Sequence, residues 1–284
     1  MIKAYYRLTK PGIIYGNLIT ATAGFLLASK GDIDIGLLGI TLGGIAFVIA
    51  SACVSNNYID RGIDRKMART KNRALVTGAI SGTHALVYAF LLGSVGFLLL
   101  ALGTNLLTLM LGIAAFLVYV ALYGYAKRHS VYGTIIGSIA GALPPVAGYT
   151  AASNVFDSGA LILFAILTFW QMPHFYAIAV YRSRDYASAK LPVLPVKKDV
   201  RTAKKHILVY VGAFIGACAA LSAFGYAGYA FLVVMCGLGA AWLARGIKGF
   251  NASDDVHWAR GMFFFSLIVI MGLSLMLALE SLLP

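Results

Sequence analysis

Charged side chains are scarce in this 284-residue chain: they make up 12% of it, and only ten of them are acidic. A water-soluble domain usually carries about 25% charged residues. Hydrophobic residues make up 60% of the chain instead. The composition therefore excludes an ordinary water-soluble globule and predicts a membrane protein.

Cysteine is also rare, and its few copies are scattered. Cys53, Cys218 and Cys236 lie far apart, in or near apolar stretches. An odd number of unclustered cysteines indicates neither a disulfide scaffold nor a cysteine metal site. We interpret them as small packing residues.

Long apolar runs are abundant, and about 20 mostly apolar residues suffice to cross a bilayer as a helix. Nine such runs occur, at roughly 12–28, 37–59, 84–102, 106–124, 132–150, 159–181, 207–226, 229–245 and 261–280. They are nearly continuous rather than alternating, and about twice as long as a membrane-spanning strand needs. The sequence therefore predicts an all-α, polytopic membrane protein of about nine transmembrane helices, with residues 1–284 forming one domain and no domain outside the membrane.

The basic residues fall almost entirely on one side of these spans. Of the 23 lysines and arginines, only Lys30 lies on the other side, together with Asp32, Asp34, Asp157 and Glu280. The positive-inside rule places the basic side in the cytoplasm. It thus predicts a cytoplasmic N-terminus and a C-terminus on the opposite side. The net charge of +13 then reflects topology and contact with the lipid bilayer, and we expect no nucleic-acid partner.

Two carboxylates and an amide end the second span with helical spacing. Asn56, Asp60 and Asp64 stand at i, i+4 and i+8, so a continuing helix aligns them on one face. Their oxygens suit a Mg²⁺ ion that bridges to a diphosphate. The alternative is an interfacial cap in which the aspartates pair with Arg61 and Arg65. Carboxylates near membrane depth are costly and usually functional, which favours the metal.

A dense set of cations follows directly. Arg69 and Arg73 could bind phosphate oxygens with both prongs of the guanidinium group. The alternative is a basic loop whose side chains extend toward lipid headgroups, and we assign Lys66 and Lys71 to that class. Since a metal–phosphate site needs both signs of charge together, the preceding carboxylates favour a phosphate role for the two arginines.

Two further segments place polar residues at cytoplasmic span ends. Lys127 and Arg128 end the fourth span, where topology alone could explain them. In the sixth span, Pro173 predicts a kink and His174 follows it, although a lone helical histidine is more often structural than a ligand. The pair Pro144-Pro145 predicts a break in the fifth span.

Several of these motifs together resemble the UbiA family of intramembrane aromatic prenyltransferases, over nearly the whole chain. They are Thr9-Lys10-Pro11-Gly12 with Asn17, Asn56-x3-Asp60-x3-Asp64, Met67-x-Arg69-Thr70-x2-Arg73, Tyr123-x3-Lys127-Arg128, Pro144-Pro145 with Gly148, Trp170-Gln171-Met172-Pro173-His174, Asp185-Tyr186 and Leu191-Pro192-Val193-Leu194-Pro195. The segment from Trp170 to His174 and the stretch from Leu191 to Pro195 resemble the haem-modifying branch. Many members carry a second aspartate-rich motif after the sixth span, where this chain offers Asp185 alone, so a second multi-carboxylate Mg²⁺ site is in doubt.

The resemblance implies helices bundled around a central cavity that opens near the cytoplasmic face of the inner membrane. It also implies transfer of a farnesyl group from farnesyl diphosphate to a vinyl group of haem b, which is a substrate rather than a cofactor. The implied roles are Mg²⁺ binding by Asn56, Asp60 and Asp64, diphosphate binding by Asn56, Arg65, Arg69, Arg73 and Asp185, catalysis by Asp60, Asp64, Lys127 and Arg128, and haem contact by His174 or its rival His129. The product would pass to a haem-receiving oxidase assembly or to a downstream haem-modifying enzyme.

Three other functions stay open at this stage. A quinone precursor could be the prenyl acceptor, since the same diphosphate motifs would serve it. A transporter also has many spans and intramembrane polar residues, but its path should place charges near the midplane, where this chain has almost none. A haem-delivery protein would need the haem site without the metal–diphosphate site.

Overall fold

The computed structural model describes residues 1–280, and within them nine helices are long and apolar enough to cross a membrane. We label them α1 (Pro11–Ser29), α2 (Ile35–Asp64), α3 (Gly82–Gly103), α4 (Leu106–His129), α5 (Gly133–Ser153), α6 (Ser158–Tyr181), α7 (Val200–Ala223), α8 (Tyr229–Lys248) and α9 (Asp255–Glu280). Each coincides with one predicted span, so the all-α, polytopic fold is confirmed. The end of the predicted single domain and the C-terminus itself, residues 281–284, lie outside the described residues.

The fifth span is not broken, which corrects the prediction made from its prolines. Helix α5 runs without interruption through both Pro144 and Pro145, and α6 likewise runs through Pro173. A proline removes one backbone donor. In a bilayer no water replaces lost backbone hydrogen bonds, so the chain keeps the remaining helical bonds and relies on neighbouring helices. Pro144 and Pro145 are both buried against neighbouring parts of the bundle, as this explanation requires.

The backbones of helices α1 and α5 approach each other closely. Gly24 of α1 faces the carbonyl of Pro145, and Gly148 of α5 faces the carbonyl of Ala21, so a Cβ at either glycine would overlap backbone oxygen. Small residues at such positions let transmembrane helices approach closely. Helix α6 packs against α5, α7 and α9, and the largest buried apolar cluster lies among these helices.

The two ends of the bundle differ in chemistry. Because successive spans alternate in direction, the N-terminus and the connections after α2, α4, α6 and α8 meet at one end, which we call the basic end. It holds every lysine and arginine except Lys30. At the other end Asp34, Asn105 and Asp157 accept hydrogen bonds from the first turns of α2, α4 and α6. Polar residues there act as helix caps, which leaves the basic end as the place for a charged site.

Candidate active site

One cavity of about 590 Å³ lies inside the bundle. Six spans line it: α1, α2, α4, α5, α6 and α9. Its charged lining residues all belong to the basic end, and they are Lys10, Asp60, Asp64, Arg69, Arg73 and Lys127. Deeper in, most of the lining residues are apolar or aromatic. The predicted central cavity is confirmed, and its volume is in the range of small-molecule binding sites.

Asp60 is the first of two carboxylates that line the cavity. It is only 9% exposed and ion-pairs with Lys127 through one oxygen. Its other oxygen accepts from Nη2 of Arg128 at 2.9 Å, and the same nitrogen donates to the carbonyl of Ile59 at 2.8 Å. Lys127 and Arg128 are the two cations that end α4. The structure therefore joins the end of α4 to the end of α2 through one carboxylate.

Asp64 is one helical turn further along α2 and has a separate cation. Nη1 of Arg73 donates to its Oδ2 at 2.6 Å and to Oδ1 of Asn57 at 3.2 Å. The hydroxyl of buried Thr70 donates to the backbone carbonyl of Asp64 at 2.8 Å. The segment after α2 thus folds back onto the helix that precedes it and brings Arg69 and Arg73 to the cavity.

Lys10 is a site residue that sequence reasoning missed. It precedes α1 with a left-handed φ of 53°, and its Nζ donates to Oδ1 of Asn56 at 3.3 Å. Burial lowers the pKa of this ammonium group below its usual range. A lysine before the first span looks like a topology signal, so only its place in the motif with Pro11 and Gly12 could have drawn attention to it. Asn56 itself is 2% exposed and lines the cavity.

A wider helical turn shapes the wall that α4 contributes. Residues Val118–Tyr123 form a π-helical segment, a feature often found at functional sites. Tyr119 and Tyr123 stack with ring centroids 5.5 Å apart, and both line the cavity. Nζ of Lys127 lies 4.9 Å from the Tyr123 ring centroid. The segment therefore places two aromatic faces directly beside the cation that pairs with Asp60.

His174 lies in the cavity lining on α6, and the other candidate histidine does not. Nδ1 of His174 is 2.7 Å from the hydroxyl of Ser266 on α9, and its ring stacks on Trp170 with centroids 4.9 Å apart. His129 is exposed, its Nδ1 is 2.8 Å from the carbonyl of Tyr125, and it stays outside the lining. Of these two candidate histidines, the structure brings His174 to the cavity.

Three other predicted site residues are not brought into the cavity. Arg128 donates a hydrogen bond to Asp60 but does not line the cavity itself. Arg65 is exposed where α2 ends, and Asp185 is half-buried in the short helix Ser183–Ser188, whose Tyr186 lines the cavity instead. Of the predicted set, the structure thus gathers Asn56, Asp60, Asp64, Arg69, Arg73, Lys127 and His174.

The donor set fits a metal ion that arrives with a phosphate. No group of three or more His, Cys, Asp or Glu side chains converges anywhere in residues 1–280. Two buried carboxylates one helical turn apart remain, next to four cavity-lining cations. Mg²⁺ is usually held by one or two carboxylates, with substrate phosphates and waters at the other positions. The residues present therefore fit such an ion but do not form an all-protein cage.

The fold and this site define an intramembrane prenyltransferase. Residues 17–268 match the model of the UbiA prenyltransferase family, and the chain belongs to that family. The match covers every span except the start of α1 and the end of α9. The class of enzyme is thereby settled.

Closer relatives narrow the comparison further. A protein from Enterobacter sp. (strain 638) named protoheme IX farnesyltransferase is 55% identical over 285 aligned positions, which cover 100% of this chain and 97% of that protein. Among solved structures, one described as digeranylgeranylglyceryl phosphate synthase has a TM-score of 0.81 at 19% identity, covering 99% of this chain and 98% of the other. A UbiA homologue from Archaeoglobus fulgidus bound to GPP and Mg²⁺ has a TM-score of 0.67 at 19% identity, covering 97% and 99%.

Proposed function

We propose that this chain, acting as one prenyltransferase domain, transfers the farnesyl group of farnesyl diphosphate to a vinyl group of haem b, forming haem O and diphosphate. The observation that carries this proposal is the cavity itself. It joins a charged end, built for a metal–diphosphate, to an apolar interior that extends to His174. The 55% identity to a full-length relative named protoheme IX farnesyltransferase supports the choice of both substrates.

The diphosphate binds at the basic end. Arg69 lines the cavity and forms no ion pair within residues 1–280, so its guanidinium group is available to phosphate oxygens. Lys10 and Arg73 face the same space and add positive charge. Arg65 and Asp185, which lie outside the lining, can take part in diphosphate binding only at its outer edge.

Asn56, Asp60 and Asp64 would hold Mg²⁺, which would act as a Lewis acid and withdraw negative charge from the diphosphate. The A. fulgidus homologue described with GPP and Mg²⁺ shares this fold and supports the assignment. Arg128 holds Asp60 in place by its hydrogen bonds to that carboxylate and to the carbonyl of Ile59.

In the first step the allylic C–O bond of farnesyl diphosphate breaks, and its electron pair stays with the diphosphate. Lys127, Arg69 and Arg73 neutralise the charge that develops there, in a site where fixed charges need not reorganise. The faces of Tyr119 and Tyr123 shield the allylic cation from water and stabilise it through their π electrons.

In the second step the π electrons of the haem vinyl group form a bond to the farnesyl carbon. Positive charge moves to the vinyl carbon next to the porphyrin, where a water oxygen adds and loses a proton. This leaves the hydroxyethylfarnesyl substituent of haem O. His174 contacts the haem from α6, and His129, which is exposed and outside the lining, is disfavoured.

We also propose an orientation in the membrane and a recipient for the product. The basic end faces the cytoplasm, by the positive-inside rule, and the cavity opens toward it in the inner membrane. The end of α9 at Glu280 lies on the opposite side. Haem O passes to a haem-receiving oxidase assembly or to a downstream haem-modifying enzyme.

The test is a double variant, Asp60→Asn with Asp64→Asn, assayed with farnesyl diphosphate, Mg²⁺ and haem b. We expect haem O formation to be lost, because both carboxylates that hold the metal are gone, while haem binding persists. A matched control replaces two exposed carboxylates of the same end, Asp199→Asn with Asp254→Asn.

The control should form haem O at the wild-type rate. Normal haem O formation by the cavity variant would refute the metal–diphosphate assignment. If the wild-type protein binds haem but transfers no prenyl group, it is instead a haem-delivery protein.

A further inference from the structure

The hydrogen bonds around His174 fix which of its ring nitrogens carries the proton. The hydroxyl of Ser266 donates to the carbonyl of Phe263 at 2.5 Å, one turn earlier in α9. A serine hydroxyl has a single hydrogen, so its remaining role toward Nδ1 of His174, at 2.7 Å, is to accept. Nδ1 therefore carries a hydrogen. In a neutral imidazole, Nε2 is then the unprotonated nitrogen.

Two aromatic rings also hold the imidazole in orientation. Trp170 stacks on it with an interplanar angle of 26°, and the Phe263 ring lies with its centroid 4.9 Å away. The indole Nε1 of Trp170 donates to the backbone carbonyl of Ser266 at 2.8 Å. Two hydrogen bonds and the contact between the His174 and Phe263 rings thus tie α6 to α9. Such contacts hold a histidine in a single rotamer and tautomer.

The ring edge that carries Nε2 is not sealed off by protein. His174 belongs to the lining, and Nε2 is not among the side-chain atoms of residues 1–280 that are sealed off without a partner. Nδ1–H bonded to an acceptor, with Nε2 free and unprotonated, is the arrangement by which proteins prepare a histidine to bind a metal. The surrounding wall is apolar, as a porphyrin face requires.

We propose that Nε2 of His174 is the axial ligand of the iron in the haem substrate, and that Ser266 is the positioning residue that keeps this nitrogen unprotonated. This rests on the proposed function, because it requires a haem acceptor in the cavity. Iron ligation anchors the porphyrin at one point, while its vinyl edge is left free to meet the farnesyl carbon near Asp60. Ser266 acts only through His174.

The test is the absorption spectrum of the detergent-solubilised protein loaded with mesohaem, a haem whose vinyl groups are ethyl groups, so binding is read without turnover. His174→Gly should lose the spectral signature of histidine-ligated iron, and added imidazole should restore it. Ser266→Ala should weaken mesohaem binding about fivefold, the loss expected for one buried hydrogen bond. Ser266→Thr, which keeps the hydroxyl, should restore it.

The matched control is Ser274→Ala, two turns further along α9. Ser274 is buried, its hydroxyl has no partner within residues 1–280, and it is not part of the cavity lining. The absorption spectrum of the Ser274→Ala variant and its affinity for mesohaem should equal those of the wild type. The Ser274 variant also reports any general loss of folding caused by substitutions in this helix.

An unchanged spectrum in His174→Gly would overturn the ligand assignment. Equal weakening by Ser266→Ala and Ser274→Ala would overturn the positioning role. If the wild-type protein forms haem O from haem b but His174→Gly keeps its spectrum, only this inference fails. If the wild-type protein binds no haem and prenylates a phenol instead, the proposed function fails with it.

Discussion

At the scale of single residues, each of the two cavity carboxylates forms ion pairs with separate cations. Asp60 pairs with Lys127 and Arg128, whereas Asp64 pairs with Arg73. Uncompensated charge inside a membrane protein is costly, so the pairs explain how so many charges persist at the end of an apolar cavity. A metal–diphosphate can take over both sets of partners, because it presents positive charge to the carboxylates and negative charge to the cations.

Removing one cavity cation should affect catalysis more than folding. In Lys127→Met, Asp60 keeps its bond to Arg128, so the bundle should remain intact. The leaving diphosphate loses one stabilising charge, and we expect kcat to fall by about 10²–10³, as for other preorganised electrostatic groups. Steady-state rates of haem O formation measure this.

Lys66→Met is the matched control, because Lys66 is an exposed cation of the same end that does not line the cavity. Its kcat should stay within about twofold of wild type, as expected for a solvated surface charge. Equal losses in the two variants would show that the effect of Lys127 is one of overall charge.

Lys10 should give the reaction a basic limb in its pH profile. Burial lowers the pKa of its ammonium group, so this group loses its positive charge at a lower pH than an ordinary lysine does. Binding of the diphosphate should weaken as pH rises through that pKa. The pH dependence of kcat/KM for farnesyl diphosphate reports groups of the free enzyme.

In Lys10→Arg the charge persists at all accessible pH values, so this limb should disappear. A limb of unchanged position in Lys10→Arg would mean that another group titrates. Lys3→Arg, at an exposed position before the first span, is the control and should keep the wild-type profile.

The sequence predicted the residues that carry opposite charges in a repeating pattern, and it missed those whose role depends on packing. Asp60 and Asp64 were predictable because their spacing fits a helix face, and α2 continues through both of them. Lys10 was not, since its approach to Asn56 depends on how the chain before α1 folds across the end of α2. Arg65 is the converse case: it lies within the motif, but the end of α2 leaves it exposed.

At the scale of elements, the contact between α1 and α5 supports two walls of the cavity. Gly148→Ala should lower the temperature of unfolding in detergent by several degrees, because the new methyl group would overlap the carbonyl of Ala21 and force the helices apart. Thermal unfolding followed by helical circular dichroism measures this.

Gly212→Ala in α7 is the control. Nothing lies within 4 Å of a Cβ at that position, so the substitution should be neutral or slightly stabilising, since alanine favours a helix over glycine. If both variants unfold at the same temperature, the close approach of α1 and α5 does not limit stability.

The helices themselves were predictable from apolar run length, but their internal geometry was not. All nine spans stand where the runs indicated. The π-helical segment Val118–Tyr123 left no trace in the sequence, because hydrophobic periodicity does not separate a single wide turn from an ordinary one. The prolines of α5 led to a wrong prediction for a related reason. A proline can end a helix where water replaces the lost backbone hydrogen bonds, but the bilayer removes that water, so the helix continues.

At the scale of the whole molecule, the asymmetry of charge predicts which end faces the cytoplasm. Asp32 and Asn72 are exposed at opposite ends of the bundle. In a background in which the three native cysteines are replaced by serine, a membrane-impermeant maleimide on intact cells should label Asp32→Cys. It should label Asn72→Cys only after the cells are permeabilised. The reverse pattern would show that the basic end lies outside.

We propose that the cavity as a whole brings an ionising diphosphate together with a haem acceptor. The most direct measurement supplies the purified protein with farnesyl diphosphate, Mg²⁺ and haem b in isotopically labelled water, alongside a phenolic acceptor. Mass spectrometry of the porphyrin should reveal an added farnesyl group and one labelled oxygen. Unmodified haem together with a prenylated phenol would contradict the account.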